Sequence, residues 1–214
     1  MLKIAVLNNA TLSYDEFNRA KSAVATQVKR DFAPTWGSNA NLYVPVEPNP
    51  TGRLVRGYVP PPPKGWTVSL YDSREQAEAD GFEPEVRGPN VAIYLDELAN
   101  AGLNWTVSFS AVVLEMLADS FVNVLMETVD GILGLDVCSP VSTDACSYIL
   151  SEVSVSDFVL PAWYSGAAGP YSFKSNVAEP LALADGGYCW AWNGAWQLRG
   201  DGSGRAQFSD RNRA

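Results

Sequence analysis

The chain has 214 residues, 47% apolar and 18% charged, which is the length and balance of one globular domain. Its net charge of −9 argues against non-specific nucleic-acid binding and against docking on an anionic membrane, both of which use clustered Lys and Arg. It contains no histidine, which removes Ser-His-Asp triads, Cys-His dyads and His-ligated zinc sites together.

Residues 2–7 (LKIAVL) predict a buried opening strand. Ser13, with Glu16 three residues on, makes a capping box. Phe17, Ala20, Val24, Val28 and Phe32 then recur at i+3 and i+4 steps and predict an amphipathic helix ended by Pro34. Residues 41–46 (NLYVPV) predict a second strand, so the chain opens as β-α-β. Residues 47–64 carry Pro48, Pro50 and the run Pro60 to Pro63, which no central strand accepts. They predict a surface excursion with an edge strand near 54–59, read as a stiff insertion rather than a polyproline II docking segment.

Strands are expected at 66–71 (WTVSLY) and 90–95 (NVAIYL), with a short polar helix capped by Ser73 between them. A turn at 99–104 leads into the longest apolar run, 105–124, expected as a helix. Beyond it, 126–137 with Gly131 and Gly134, and the short apolar pieces 148–150, 153–155 and 158–160, predict hairpins and loops. Asp185, Gly186 and Gly187 predict a tight turn before Tyr188, Trp190, Trp192 and Trp196. One domain is expected over 1–198, with the excursion at about 47–64 and a flexible tail at 199–214.

Cys138, Cys146 and Cys189 are odd in number and lack a CxxC spacing. A Cys138–Cys146 disulfide fits the spacing without being required by it; three reduced, buried thiols are expected. The start of the chain does not read as a secretory signal, and no apolar run reaches the roughly 18 residues that a membrane span needs.

Within 105–124, Ala111, Glu115 and Asp119 fall at i, i+4 and i+8 on one helical stripe, with Val112 beside Ala111. A carboxylate among aliphatics serves as a general base, as a metal ligand, or as a hydrogen-bonded brace for a nearby loop; the brace is the plainer expectation. Asp136, Asp144 and Asp157 sit beside Ser139, Ser142, Thr143 and Ser156. Oxygen-rich loops of this kind can hold calcium, but without EF-hand spacing they read as turn formers. Arg199-Gly200-Asp201 is a chance adhesion-like triplet, and the arginines at 199, 205, 211 and 213 give the tail local positive charge.

The run 105–119 resembles the active helix of a zincin-like family of uncharacterised phage and bacterial proteins, of the form Ser-His-Glu-x-x-Glu-Met-Leu-x-Asp-Pro. Residues 27–34 (QVKRDFAP) with Trp36-Gly37, 137–140 (VCSP), 155–164 (VSDFVLPAWY in 155–164) and 186–188 (GGY) are similar to further blocks of that family. The resemblance implies an α+β zincin-like fold: a mixed, mostly antiparallel sheet, two main helices and a loop-rich C-terminal half. It also locates what is missing. Ala111 and Val112 stand where the family has its zinc-ligating His and catalytic Glu, only Glu115 and Asp119 survive, and Ser120 replaces the closing proline. Ala cannot ligate zinc and Val cannot accept a proton.

The expectation is therefore a pseudoenzyme with no catalytic residue, no cofactor and no metal. Its function is expected to be structural or interactive, specifically as a phage virion component such as a capsid decoration or head–tail accessory protein. Protein partners in an assembly of several copies follow from this, with no nucleic acid and no membrane. The location is the virion after synthesis in the host cytoplasm, or the cytoplasm itself. Two alternatives stand beside it: a divergent metal-dependent hydrolase using Glu115, Asp119 and Asp136, and a carbohydrate- or peptide-binding module using Trp190, Trp192 and Trp196.

Overall fold

The computed structural model describes residues 1–45, 66–82, 90–121 and 123–200. The Pro-rich excursion at 47–64, its edge strand near 54–59 and the tail from 201 onward lie outside those residues.

Strand β1 (Leu2–Asn8) leads into helix α1 (Tyr14–Gln27), whose N-cap Ser13 accepts the Glu16 N–H at 3.2 Å. A π-helical turn, Val28–Phe32, carries the helix on into α2 (Ala33–Trp36), and Gly37 closes it in the left-handed region at φ 71°. Pro34 thus does not end the helix as expected. A proline ring crowds the carbonyl four residues back. The wider π turn, in which the Ala33 N–H donates to Val28, makes room for it.

Strands β2 (Ala40–Tyr43) and β3 (Trp66–Tyr71) flank β1, helix α3 (Arg74–Ala79) follows with Ser73 as its cap, and β4 (Asn90–Tyr94) completes a four-stranded sheet. The order is β2-β1-β3-β4 and every pairing is parallel. Parallel strands are covered on both faces, and Ile4, Ala5 and Val6 are all buried. One face carries Ile4, Val6, Val68, Leu70 and Ile93 into the main core with α1; the other packs Tyr71, Ala92 and Tyr94 against Ala77 of α3. Helix α4 (Leu95–Asn100) occupies the start of the stretch expected as a turn.

Helix α5 (Trp105–Ala118) is buried without interruption from Val107 to Leu117. It has no solvated stripe and reads as a helix through a core rather than on it. Each large apolar side chain there contributes roughly 1.5–3 kcal/mol by leaving water. Its start is set by Asn104, whose Oδ1 accepts the Thr106 N–H at 2.9 Å. It ends at Ala118, six residues before the expected end, because Asp119 leaves helical geometry at φ −145°, ψ 82°. The Asp119 carboxylate accepts the N–H groups of Asn123 (3.1 Å) and Val124 (2.8 Å) and so starts the loop instead.

Beyond α5 come β5 (Leu125–Thr128) and β6 (Gly131–Gly134), joined by Val129 and Asp130. Then follow the hairpin β7 (Tyr148–Leu150) and β8 (Val153–Val155), helix α6 (Pro161–Ser165), and β9 (Tyr188–Trp192) with β10 (Trp196–Gly200). Ser151 and Glu152 turn the β7–β8 hairpin with φ of 48° and 67°, the signs a tight two-residue hairpin turn requires. The stretch 158–160 makes one isolated bridge, Val159 to Ser172, rather than a strand. Strands β10-β9-β6-β5 form a second sheet, antiparallel throughout. The α+β class therefore holds, but the one mixed, mostly antiparallel sheet does not: a parallel and an antiparallel sheet form separately. One apolar cluster runs from Ile4 through α5 to Leu133, Val155 and Ala191, so α5 packs in the core shared by both halves.

Candidate functional site

The buried end of α5 holds the polar groups that the sequence singles out. Ala111 and Val112 are packed in the main core. One turn on, Glu115 is 8% exposed, and its carboxylate meets three consecutive backbone N–H groups. Val137 donates to Oε2 at 3.0 Å; Cys138 and Ser139 donate to Oε1 at 2.7 and 3.3 Å. Neither ion pair between described residues, Arg30–Asp31 or Arg74–Glu97, involves it. The carboxyl oxygens are met by peptide N–H groups of the loop, in the arrangement of a nest whose acceptor is the protein's own side chain.

The acid is under opposing pulls. Burial raises its pKa, the nearby Asp136 carboxylate raises it further, and the three N–H groups lower it; burial and Asp136 win, and it is pushed up to about 8. The same surroundings push the Cys138 thiol and the Tyr164 hydroxyl well above their ordinary values, burial first in each case. Tyr164 is tied to the backbone of Asp136: its hydroxyl donates to the Asp136 carbonyl (2.7 Å) and accepts the Asp136 N–H (2.9 Å). Glu115 thus fastens the loop after β6 to α5, and Tyr164 fastens the same loop to α6.

The other acids work in the same way. Asp119 holds Asn123 and Val124, so the stripe formed by Ala111, Glu115 and Asp119 shares one helical face without forming one site. Asp144 accepts the Asn104 N–H (2.9 Å) and braces the start of α5. Asp157 is fully buried and accepts the Lys174 N–H (3.0 Å) and the Asn176 side-chain amide (2.9 Å), while burial raises its pKa. Among the described residues, no three His, Cys, Asp or Glu side chains come together as a metal-binding group. Cys138, Cys146 and Cys189 are buried and in no disulfide, which agrees with the expected reduced, buried thiols.

Trp192 and Trp196 close the β9–β10 hairpin with ring centroids 5.2 Å apart and planes at 64°, an edge-to-face pair rather than a flat platform. Trp190 lies one alternation further along β9 and is half-buried. Arg199 and Gly200 of the adhesion-like triplet belong to β10, not to a tail, and Asp201 lies outside the described residues. An open groove of about 640 Å³ runs beside α1, lined by Asp15, Asn18, Arg19, Ser22 and the hairpin-turn Ser151.

A buried polar network centred on Gln27 was not legible as such in the sequence. Gln27 donates to the Ser156 carbonyl (2.7 Å) and accepts from the Ser110 hydroxyl (2.7 Å), which in turn accepts the Ser156 N–H (2.9 Å). This network joins α1, α5 and the exit of β8. The only signal for it is that Gln27 lies in the apolar stripe of α1, between Val24 and Val28.

The chain matches no protein-family profile, no curated protein and no solved structure. Among the described residues, no helix is long and apolar enough to cross a membrane.

Proposed function

We propose that this chain is a non-catalytic structural or interaction protein on a degenerate zincin-like scaffold, and specifically a component of a phage virion. The observation that carries the proposal is the state of α5. Its ligand positions are the buried aliphatics Ala111 and Val112, and its remaining acid, Glu115, already accepts three backbone N–H groups. An acid used in this way holds a loop and presents no reactive oxygen to a substrate. The acidic body and the exposed apolar side chains of the second sheet, Leu125 and Trp192 among them, fit a protein that works by contact with other proteins.

Density-gradient fractionation of the native source tests this reading. Co-migration with particles at fixed copy number is expected; recovery solely as a free monomer overturns it. The hydrolase alternative is tested on the purified chain. Stoichiometric zinc, together with peptide cleavage lost in Glu115→Gln, would replace the proposal with an enzyme.

A further inference from the structure

Strand β5 is an outer strand of the antiparallel sheet, so one of its edges pairs with β6 and the other faces outward. The pairing pattern shows which groups face outward. The Leu135 N–H donates to the Val124 carbonyl at 3.0 Å. Pair 124–135 is therefore a hydrogen-bonded one, and with the two-residue alternation so are 126–133 and 128–131. Leu125 and Glu127, opposite Gly134 and Ile132, aim their N–H and C=O away from β6. Around them Val124, Leu125 and Val129 are 38%, 49% and 80% exposed.

Natural sheets blunt an open edge with Lys, Pro, a bulge or a covering segment. Residues 123–129 contain no Lys, Arg or Pro, and their one charge is Glu127. Leu125 and Glu127 are two apart, so both side chains lie on the same face of the sheet. The edge thus offers two outward peptide units, an apolar contact and one negative charge, on a chain of net charge −9. A second copy fits poorly. It would join two bodies of the same sign, and a register placing Glu127 opposite its own mate sets like charges side by side.

We propose that the outward edge of β5 is a docking site for an extended, basic segment of a partner protein, which adds to the second sheet as a fifth strand. Main-chain hydrogen bonds to Leu125 and Glu127 supply the register, an apolar residue covers Leu125, and a Lys or Arg meets Glu127. The inference rests on the interaction-protein reading and gives that interaction a place and a chemistry.

The test uses the purified full chain and a short fluorescent peptide of Val-Thr-Lys-Thr repeats, which sets valine and lysine two residues apart on one face and threonine on the other. Controls are the same peptide with glutamate for lysine, and one N-methylated at alternate amides. The basic peptide is expected to bind, about tenfold or more tighter than either control and than it binds Glu127→Pro. The amides of Leu125 and Glu127 are expected to exchange freely in the chain alone and to become protected with peptide. No binding, equal binding of the N-methylated peptide, or unprotected amides overturns the proposal, and these arms stand even if Glu127→Pro fails to fold. Self-association through the same edge, without peptide binding, overturns it in favour of a second copy. A chain that binds the peptide but never migrates with particles keeps this edge and loses the virion reading; the converse keeps the virion reading and loses the edge.

Discussion

The end of α5 and the start of β5 are separated by six residues in the chain, and the two treat polar groups in opposite ways. At α5, a side-chain acid is carried into the core and met there by the N–H groups of Val137, Cys138 and Ser139. At β5, the backbone groups of Leu125 and Glu127 are turned outward beside exposed apolar side chains. The first arrangement stabilises a loop. The second adds little to the fold and leaves hydrogen-bonding capacity for another chain. In this protein, a carboxylate in an apolar helix marks a place where the fold is closed.

Removing Glu115 tests that contrast at its strongest point. Glu115→Ala leaves three buried N–H groups without their acceptor and is expected to cost about 3–5 kcal/mol in urea denaturation. Glu115→Gln keeps one acceptor oxygen and is expected to cost about 1–2 kcal/mol. The acid also sets a pH dependence. Its folded pKa is raised from 4.5 to about 8, so the folded state binds more protons than the unfolded state between those values. Its stabilising contribution is full below pH 4.5 and is lost as pH rises through about 8. The denaturation midpoint of the wild type, measured relative to Glu115→Gln, should fall over that window. A flat difference would show that the three N–H groups outweigh burial and the Asp136 charge.

Two smaller effects probe the supports on either side of Glu115. A Cβ added at Gly187 would run into the Pro140 carbonyl oxygen, which already accepts the Ala184 N–H at 2.9 Å. Gly187→Ala therefore has to move the turn away from the loop that Glu115 holds, and a loss of about 1–3 kcal/mol is expected by thermal denaturation. Asn104→Ala removes the cap of α5 and should cost about 1 kcal/mol. Neither substitution touches β5, so both should leave peptide binding unchanged.

Much of this was legible in the residues, and the failures have physical causes. Ser13, Ser73 and the hairpin at 148–155 were readable because a cap or a tight turn is a local matter. The parallel sheet was half-visible: after Lys3 the run IAVL has no polar alternation, which is the mark of a strand covered on both faces, whereas a mostly antiparallel sheet was expected. Pro34 misled because a π turn forms around it, and the apolar content beyond Ala118 hid the helix end that Asp119 makes. At the site, the identity of Glu115 was legible but its partners, 22 to 24 residues on, were not, since only the fold brings Val137 to Ser139 beneath it. The open edge of β5 left only a faint mark, a short apolar strand with no Lys or Pro to guard it.

The smallest expected effect bears most directly on that edge. Proline removes a backbone N–H, and its cost in a strand depends on whether that N–H is in use. At Met126 the N–H points to Leu133 inside the sheet, so Met126→Pro breaks a ladder bond and should lower stability measurably. At Glu127, one residue along, the N–H points out of the fold, so Glu127→Pro should change the stability in urea by no more than about 1 kcal/mol while weakening peptide binding about tenfold or more. The two substitutions share a strand and each remove one N–H; Met126 also packs against the main core, so Met126→Ala sets the baseline for that loss and the remainder reports the direction of the N–H. If they destabilise equally, the alternation along β5 is not what sets the effect, and the distinction between a closed helix end and an open strand edge fails with it.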